Sequence, residues 1–92
     1  MSVLTLKDYD LKIGDGEKMV VMAGLNVLED EGLAMEVCAE LKAVCADLEL
    51  PFIFKASWDK ANRSSITSYR GPGMAAGLPM LEAVKAKHGV PV

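Results

Sequence analysis

The 92-residue chain reads as a parallel α/β fold on three observations: an unbroken apolar run at 19–23, a second at 52–54, and a helically spaced segment after each. Short runs without polar alternation suit strands covered on both faces, and such strands are usually parallel. Connections through helices are then expected to be right-handed.

The elements follow in order. Leu4, Leu6, Leu11 and Ile13 alternate loosely with Thr5, Lys7 and Lys12, and Asp8-Tyr9-Asp10 supplies turn chemistry, which predicts a small hairpin within 1–16. Gly14-Asp15-Gly16 breaks the chain before Met19-Val20-Val21-Met22-Ala23, the first parallel strand. From Asp30, a 3.6-residue stripe runs through Leu33, Ala34, Val37, Cys38, Leu41, Val44, Cys45 and Leu48. Glu29, Asp30 and Glu31 stand where the helix dipole favours acids. Pro51 stops this helix, and Phe52-Ile53-Phe54 forms a strand that ends at the charge of Lys55.

A second helix is expected over 74–87, with Leu78, Leu81, Val84 and His88 on one side and Gly89 closing it. Gly77 and Pro79 weaken its first turns; Pro79 either opens a helix starting near Leu78 or kinks a longer one. Val90-Pro91-Val92 reads as the entry to a third strand. Residues 1–92 thus form a single incomplete domain, the hairpin in 1–16 and two βα units plus the start of a third strand in 17–92. Two such units cannot bury their own apolar faces, so a larger sheet or barrel is expected around them.

Composition excludes several classes. With 51% hydrophobic and 25% charged residues the chain is too apolar for disorder. Its uncharged stretch at 19–28 is about half the roughly 20 residues that cross a bilayer. The first residues lack a basic leader and an apolar core, so no signal peptide is read, no membrane partner is expected, and the location expected is cytoplasmic. A net charge of −3 argues against nucleic acid as a partner. Cys38 and Cys45 share a helix face as packing thiols, with no His or acid at ligand spacing for zinc. His88 is expected to be a surface or capping residue rather than a catalytic one.

Charge is nevertheless uneven. Lys55, Lys60, Arg63 and Arg70 fall in one stretch with a single acid, Asp59, inside an otherwise acidic chain. Ligands of parallel α/β folds bind at the carboxyl ends of strands. There the chain carries Gly24-Leu25-Asn26-Val27-Leu28-Glu29 after the first strand and Lys55-Ala56-Ser57-Trp58-Asp59-Lys60-Ala61-Asn62-Arg63-Ser64-Ser65 after the second. Ammonium groups, a guanidinium, hydroxyls and an amide suit phosphates, a carboxylate and sugar hydroxyls. A solvated charged loop is the competing reading at comparable weight. Gly71-Pro72-Gly73 gives the segment a tight exit, and Arg70 either pairs with a carboxylate or structures that turn.

The string KASWDKANRSSITSYRGPG, with AGLNVLED after the first strand, resembles the 3-deoxy-D-manno-octulosonate 8-phosphate synthases, over about residues 19–90. That resemblance implies the start of a (β/α)8 barrel preceded by a short hairpin, and a transferase of lipopolysaccharide (Kdo) biosynthesis. Its substrates would be phosphoenolpyruvate and D-arabinose 5-phosphate. It further implies that Lys55 and Lys60 contact phosphoenolpyruvate and the reacting centre, and that Ser57, Asp59, Asn62 and Asn26 line the sugar-phosphate path. Arg63 and Ser64 would hold the arabinose 5-phosphate phosphate, often in a neighbouring subunit of a homotetramer.

In the same family one class carries cysteine at the place of Asn26 and binds a divalent ion, whereas the other carries asparagine and needs none. Asn26 therefore implies the metal-independent class, with no cofactor; without the family context a turn residue after a strand is the lesser alternative. Trp58 stands where relatives often have phenylalanine and is expected to wall the site or meet another subunit. Rival readings are a related synthase of a heptulosonate or sialic acid, against which KANRSS argues, and a non-catalytic anion-binding module. The isolated piece is expected to be inactive.

Overall fold

The computed structural model describes residues 2–61, 67 and 69–92. Two strands, β1 (Val3–Leu6) and β2 (Leu11–Gly14), pair antiparallel with Leu6 opposite Leu11. A 3-10 turn at Lys7–Tyr9 joins them, and Asp10 closes it in the left-handed region at φ 49°, a conformation that aspartate tolerates better than most side chains. Leu11 is buried, while Val3 and Leu4 stay exposed.

The second sheet holds β3 (Val21–Leu25) and β4 (Phe52–Ala56), parallel and in register from Val21 opposite Phe52 to Leu25 opposite Ala56. The first strand thus begins two residues later than the apolar run: Met19 stays outside it and largely exposed. Lys55 lies inside β4 rather than beyond it. Among the described residues one of the two faces of the sheet is covered. Phe52 and Phe54 are buried, and Val21, Ala23, Leu25 and Ala56 pack on the same core, whereas Met22 is 57% exposed. Strand side chains alternate between faces, and among the described residues only one face carries helices.

That layer is α1 (Glu31–Asp47) and α2 (Met74–His88). Asp30 caps α1: its backbone is extended, and its carboxylate accepts the Leu33 N–H at 2.7 Å. Ala34, Cys38 and Cys45 face the core with Leu41 beside them, while Val44 and Leu48 on the flank of the predicted stripe remain exposed. The apolar stripe is wider than the surface that β3, β4 and α2 offer it. Cys38 and Cys45 are free thiols, and burial pushes the Cys38 thiol up from its ordinary range, partly offset by Lys42.

The exit of α1 is a Schellman motif: Leu50 N–H donates to the Cys45 carbonyl and Glu49 N–H to that of Ala46. Glu49 occupies the left-handed position, φ 55°, where glycine is usual. At the far end of α2, Gly89 does occupy that position, and its N–H donates to Lys85. The Lys42 ammonium donates to the His88 carbonyl at 2.6 Å, tying the second half of α1 to the end of α2.

Pro79 neither starts α2 nor interrupts its span; the helix begins at Met74, one turn earlier. Packing explains that first turn. Gly77 is buried, and a Cβ built on it would lie 2.6 Å from Trp58 Cβ and 3.3 Å from Leu28 Cδ1. The missing side chain lets the helix seat on Trp58, whose carbonyl also accepts the Gly73 N–H at 2.9 Å. Beyond α2, Val90 and Pro91 are buried, and Phe54 N–H donates to the Pro91 carbonyl at 2.9 Å. The carbonyls of Pro51 and Ser57 bond toward the β3 side, to Val21 and Leu28. By strand alternation Phe54 bonds on the opposite edge.

Two outcomes follow. Asp30→Ala removes the cap of α1 and should cost about 1 kcal/mol in urea unfolding. Gly77→Ala should also destabilise: a gain of about 1 kcal/mol in helix propensity is outweighed by overpacking of about 1–3 kcal/mol against Trp58. A raised unfolding midpoint for that variant would refute the seating.

Candidate functional site

The site is built where β3 and β4 end together. Leu25 and Ala56 are registered, so Asn26 and Ser57, the next residue on each chain, emerge side by side. The two exits are joined, since Leu28 N–H donates to the Ser57 carbonyl at 2.8 Å while the Leu28 side chain is fully buried. Asn26 is exposed and Ser57 half-buried. Lys55, opposite Gly24 in the register, is exposed on the face of Met22 and Ile53, away from the helices. A Cβ on Gly24 would run into the Lys55 carbonyl, so the strand approaches β4 closely there.

Lys55 and Trp58 border an apolar cavity of about 550 Å³ between β4 and α2, to which Leu78, Glu82 and Lys85 contribute. Glu82 and Lys85 were not singled out in the sequence. Helix spacing places them near the stripe of Leu78 and Leu81, but nothing in the sequence links that side to Lys55.

Past β4 the backbone is pinned at its base. Trp58 accepts from Gly73, and Lys60 N–H donates to the Arg70 carbonyl at 2.6 Å. Between these two bonds Asp59 receives the Arg70 guanidinium in a fork, Nε to Oδ1 at 2.5 Å and Nη2 to Oδ2 at 3.2 Å. That hydrogen bonding, with the neighbouring negative charge, pushes the Arg70 pKa up. Arg70 therefore does both things the sequence left open, pairing with a carboxylate and structuring the turn. Gly71, at φ 117°, lies against Trp58 and Val27, and a Cβ there would meet Val27 Cγ2 at 2.9 Å. Lys60 is half-buried beside this junction.

The structure thus brings Asn26, Lys55, Ser57, Asp59 and Lys60 to the carboxyl ends of two adjacent strands. Asn62, Arg63 and Ser64 lie outside the described residues. Two ammonium groups, a hydroxyl and an amide can bind an anion and orient a polyol. Among the described residues no three His, Cys, Asp or Glu side chains come together as a metal-binding group. No described helix is long and apolar enough to cross a membrane.

Known proteins resemble this chain along its whole length. It is 48% identical over 92 residues to the 2-dehydro-3-deoxyphosphooctonate aldolase of Azotobacter vinelandii, covering 100% of the chain and 33% of that relative. Against the protein of the same name from Pseudomonas putida it is 52% identical over 83 residues, 90% of the chain and 30% of the relative. For that of Prochlorococcus marinus the figures are 50% over 82 residues, 89% and 29%. The chain spans about a third of the length of the curated relatives it matches. The model of the DAHP synthetase I family matches residues 2–92, a span that includes both strand exits and the pinned turn between them, and the chain belongs to that family.

Proposed function

We propose that the protein carrying this segment condenses phosphoenolpyruvate with D-arabinose 5-phosphate and water, giving 3-deoxy-D-manno-octulosonate 8-phosphate and inorganic phosphate for Kdo and lipopolysaccharide synthesis. The observation that carries this reading is the paired strand exit, with Asn26 beside Ser57 and with Lys55 and Lys60 close to it in the chain. The names of the relatives favour the same reaction.

In this reading C3 of phosphoenolpyruvate attacks the sugar aldehyde, water adds at C2, and phosphate leaves by C–O cleavage. Two polyanions must meet for that. Lys55 and Lys60 neutralise phosphoenolpyruvate, Ser57, Asp59, Asn62 and Asn26 line the sugar-phosphate path, and Arg63 and Ser64 grip the distal phosphate, in a neighbouring subunit of a homotetramer. Fixed hydrogen bonds then set the attack geometry. The amide of Asn26 is a poor metal ligand beside the thiolate of the metal-dependent class, so the reaction runs without a divalent ion.

The segment forms the first part of a (β/α)8 barrel, with the β1–β2 ribbon at the barrel's amino-terminal end. The bare face of Met22 and Lys55, and the bond from Phe54 N–H to the Pro91 carbonyl on the edge of β4 away from β3, support further strands continuing the sheet. The site would then open into the barrel mouth, in cytoplasmic solution.

The test exchanges this segment for the matching third of the Azotobacter vinelandii relative. The chimera should release phosphate from phosphoenolpyruvate with arabinose 5-phosphate at least about 10²-fold better than with the aldehydes of heptulosonate or sialic acid synthesis. A folded chimera without that turnover, or with another aldehyde preferred, overturns the reading. Lys60→Ala and Arg63→Ala should each lower kcat/KM about 10²–10³-fold; unchanged kinetics for both would remove the site assignment. EDTA should leave turnover intact, and loss restored by Mn²⁺ would place the protein in the metal-dependent class.

A further inference from the structure

We infer that Arg70 is a positioning residue for Lys60, acting through Asp59 and through its own backbone. The inference rests on the synthase reading for its kinetic readout, but its basis is a local geometry no sequence motif required. Arg70 meets the strand exit twice. Its carbonyl accepts the Lys60 N–H at 2.6 Å, and its guanidinium grips both oxygens of Asp59, the preceding residue.

A bidentate fork fixes direction as well as distance, because its two parallel N–H···O bonds cannot both survive a rotation of either plane. Held at consecutive residues by one partner, the backbone of residues 59–60 loses the freedom to turn, and the Cα–Cβ direction of Lys60 is set with it. The next bond along, Gly73 N–H to the Trp58 carbonyl, extends the same ladder to the start of α2. Gly77 then seats that helix on Trp58. Lys60 is thereby referenced to α2 although it stands in a loop.

Stability does not account for this arrangement. The side chains of Arg70 and Asp59 are 56% and 42% exposed, and ion pairs so open to solvent contribute little to folding. The exposed pair instead serves geometry: the fork holds the Asp59 carboxylate in one orientation at the residue next to the lysine. Engaged by Arg70, Asp59 accepts from the guanidinium, and the strand exit keeps its cationic character.

The experiment uses the full-length chimera described above. Arg70→Ala and Asp59→Asn should each lower kcat about 10²-fold, the scale of misplacing a reacting group by about 1 Å, with the midpoint of thermal unfolding nearly unchanged. Arg70→Lys keeps the charge but not the fork and should recover only a small part of the loss. The double variant Arg70→Ala/Asp59→Asn should be no worse than the poorer single variant, since both remove one clamp. Independent, multiplying losses would show that Asp59 and Arg70 act separately and overturn the inference. So would full activity in Arg70→Lys, or a kcat loss matched by a fall in folded fraction. A parent chimera without synthase turnover would instead sink the synthase reading; in that case an Asp59 carboxyl resonance by NMR that is unmoved by Arg70→Lys overturns the clamp on its own terms.

Discussion

Everything about the site depends on the parallel register of β3 and β4. Pairing Leu25 with Ala56 sends both chains off the sheet at the same level, and the bond from Leu28 N–H to the Ser57 carbonyl keeps them together just beyond it. A slip of one residue would turn Lys55 toward the helices and Phe54 out of the core. The charge of Lys55 and the fully buried ring of Phe54 therefore enforce one another: the lysine cannot be desolvated against α1 and α2 without cost, and the phenylalanine loses its hydrophobic burial anywhere else.

Much of this was legible in the sequence because its signals are local. Asp30 ahead of a 3.6-residue stripe marks the start of α1, Pro51 its limit, and Gly89 the end of α2. The cationic segment after β4 was visible as a break in an acidic chain. What the sequence hid was relational. Strand β3 is shifted by two residues from its apolar run, because register with β4, rather than hydrophobicity, decides which residues pair. The stripe of α1 overstates its buried face at Val44 and Leu48, since periodicity reports a capacity for burial and not the presence of a partner surface.

Pro79 and Gly77 show the same limit more sharply. They left open whether the helix expected over 74–87 starts late or kinks; docking on Trp58 and Leu28 offsets the weak first turn, and α2 runs from Met74 to His88. Arg70 and Asp59 are eleven residues apart, and no periodicity connects them. Just after Arg70 the chain turns back against Trp58 through Gly71-Pro72-Gly73, where Gly71 and Gly73 both take positive φ.

The seat of α2 on Trp58 carries an evolutionary corollary. Position 77 has no room to grow while residue 58 carries a Cβ and keeps its backbone bond to Gly73, so glycine there is tied to the backbone path of residue 58 rather than to its ring. A lineage that enlarges position 77 must let the helix lift and take the lysine-bearing exit with it.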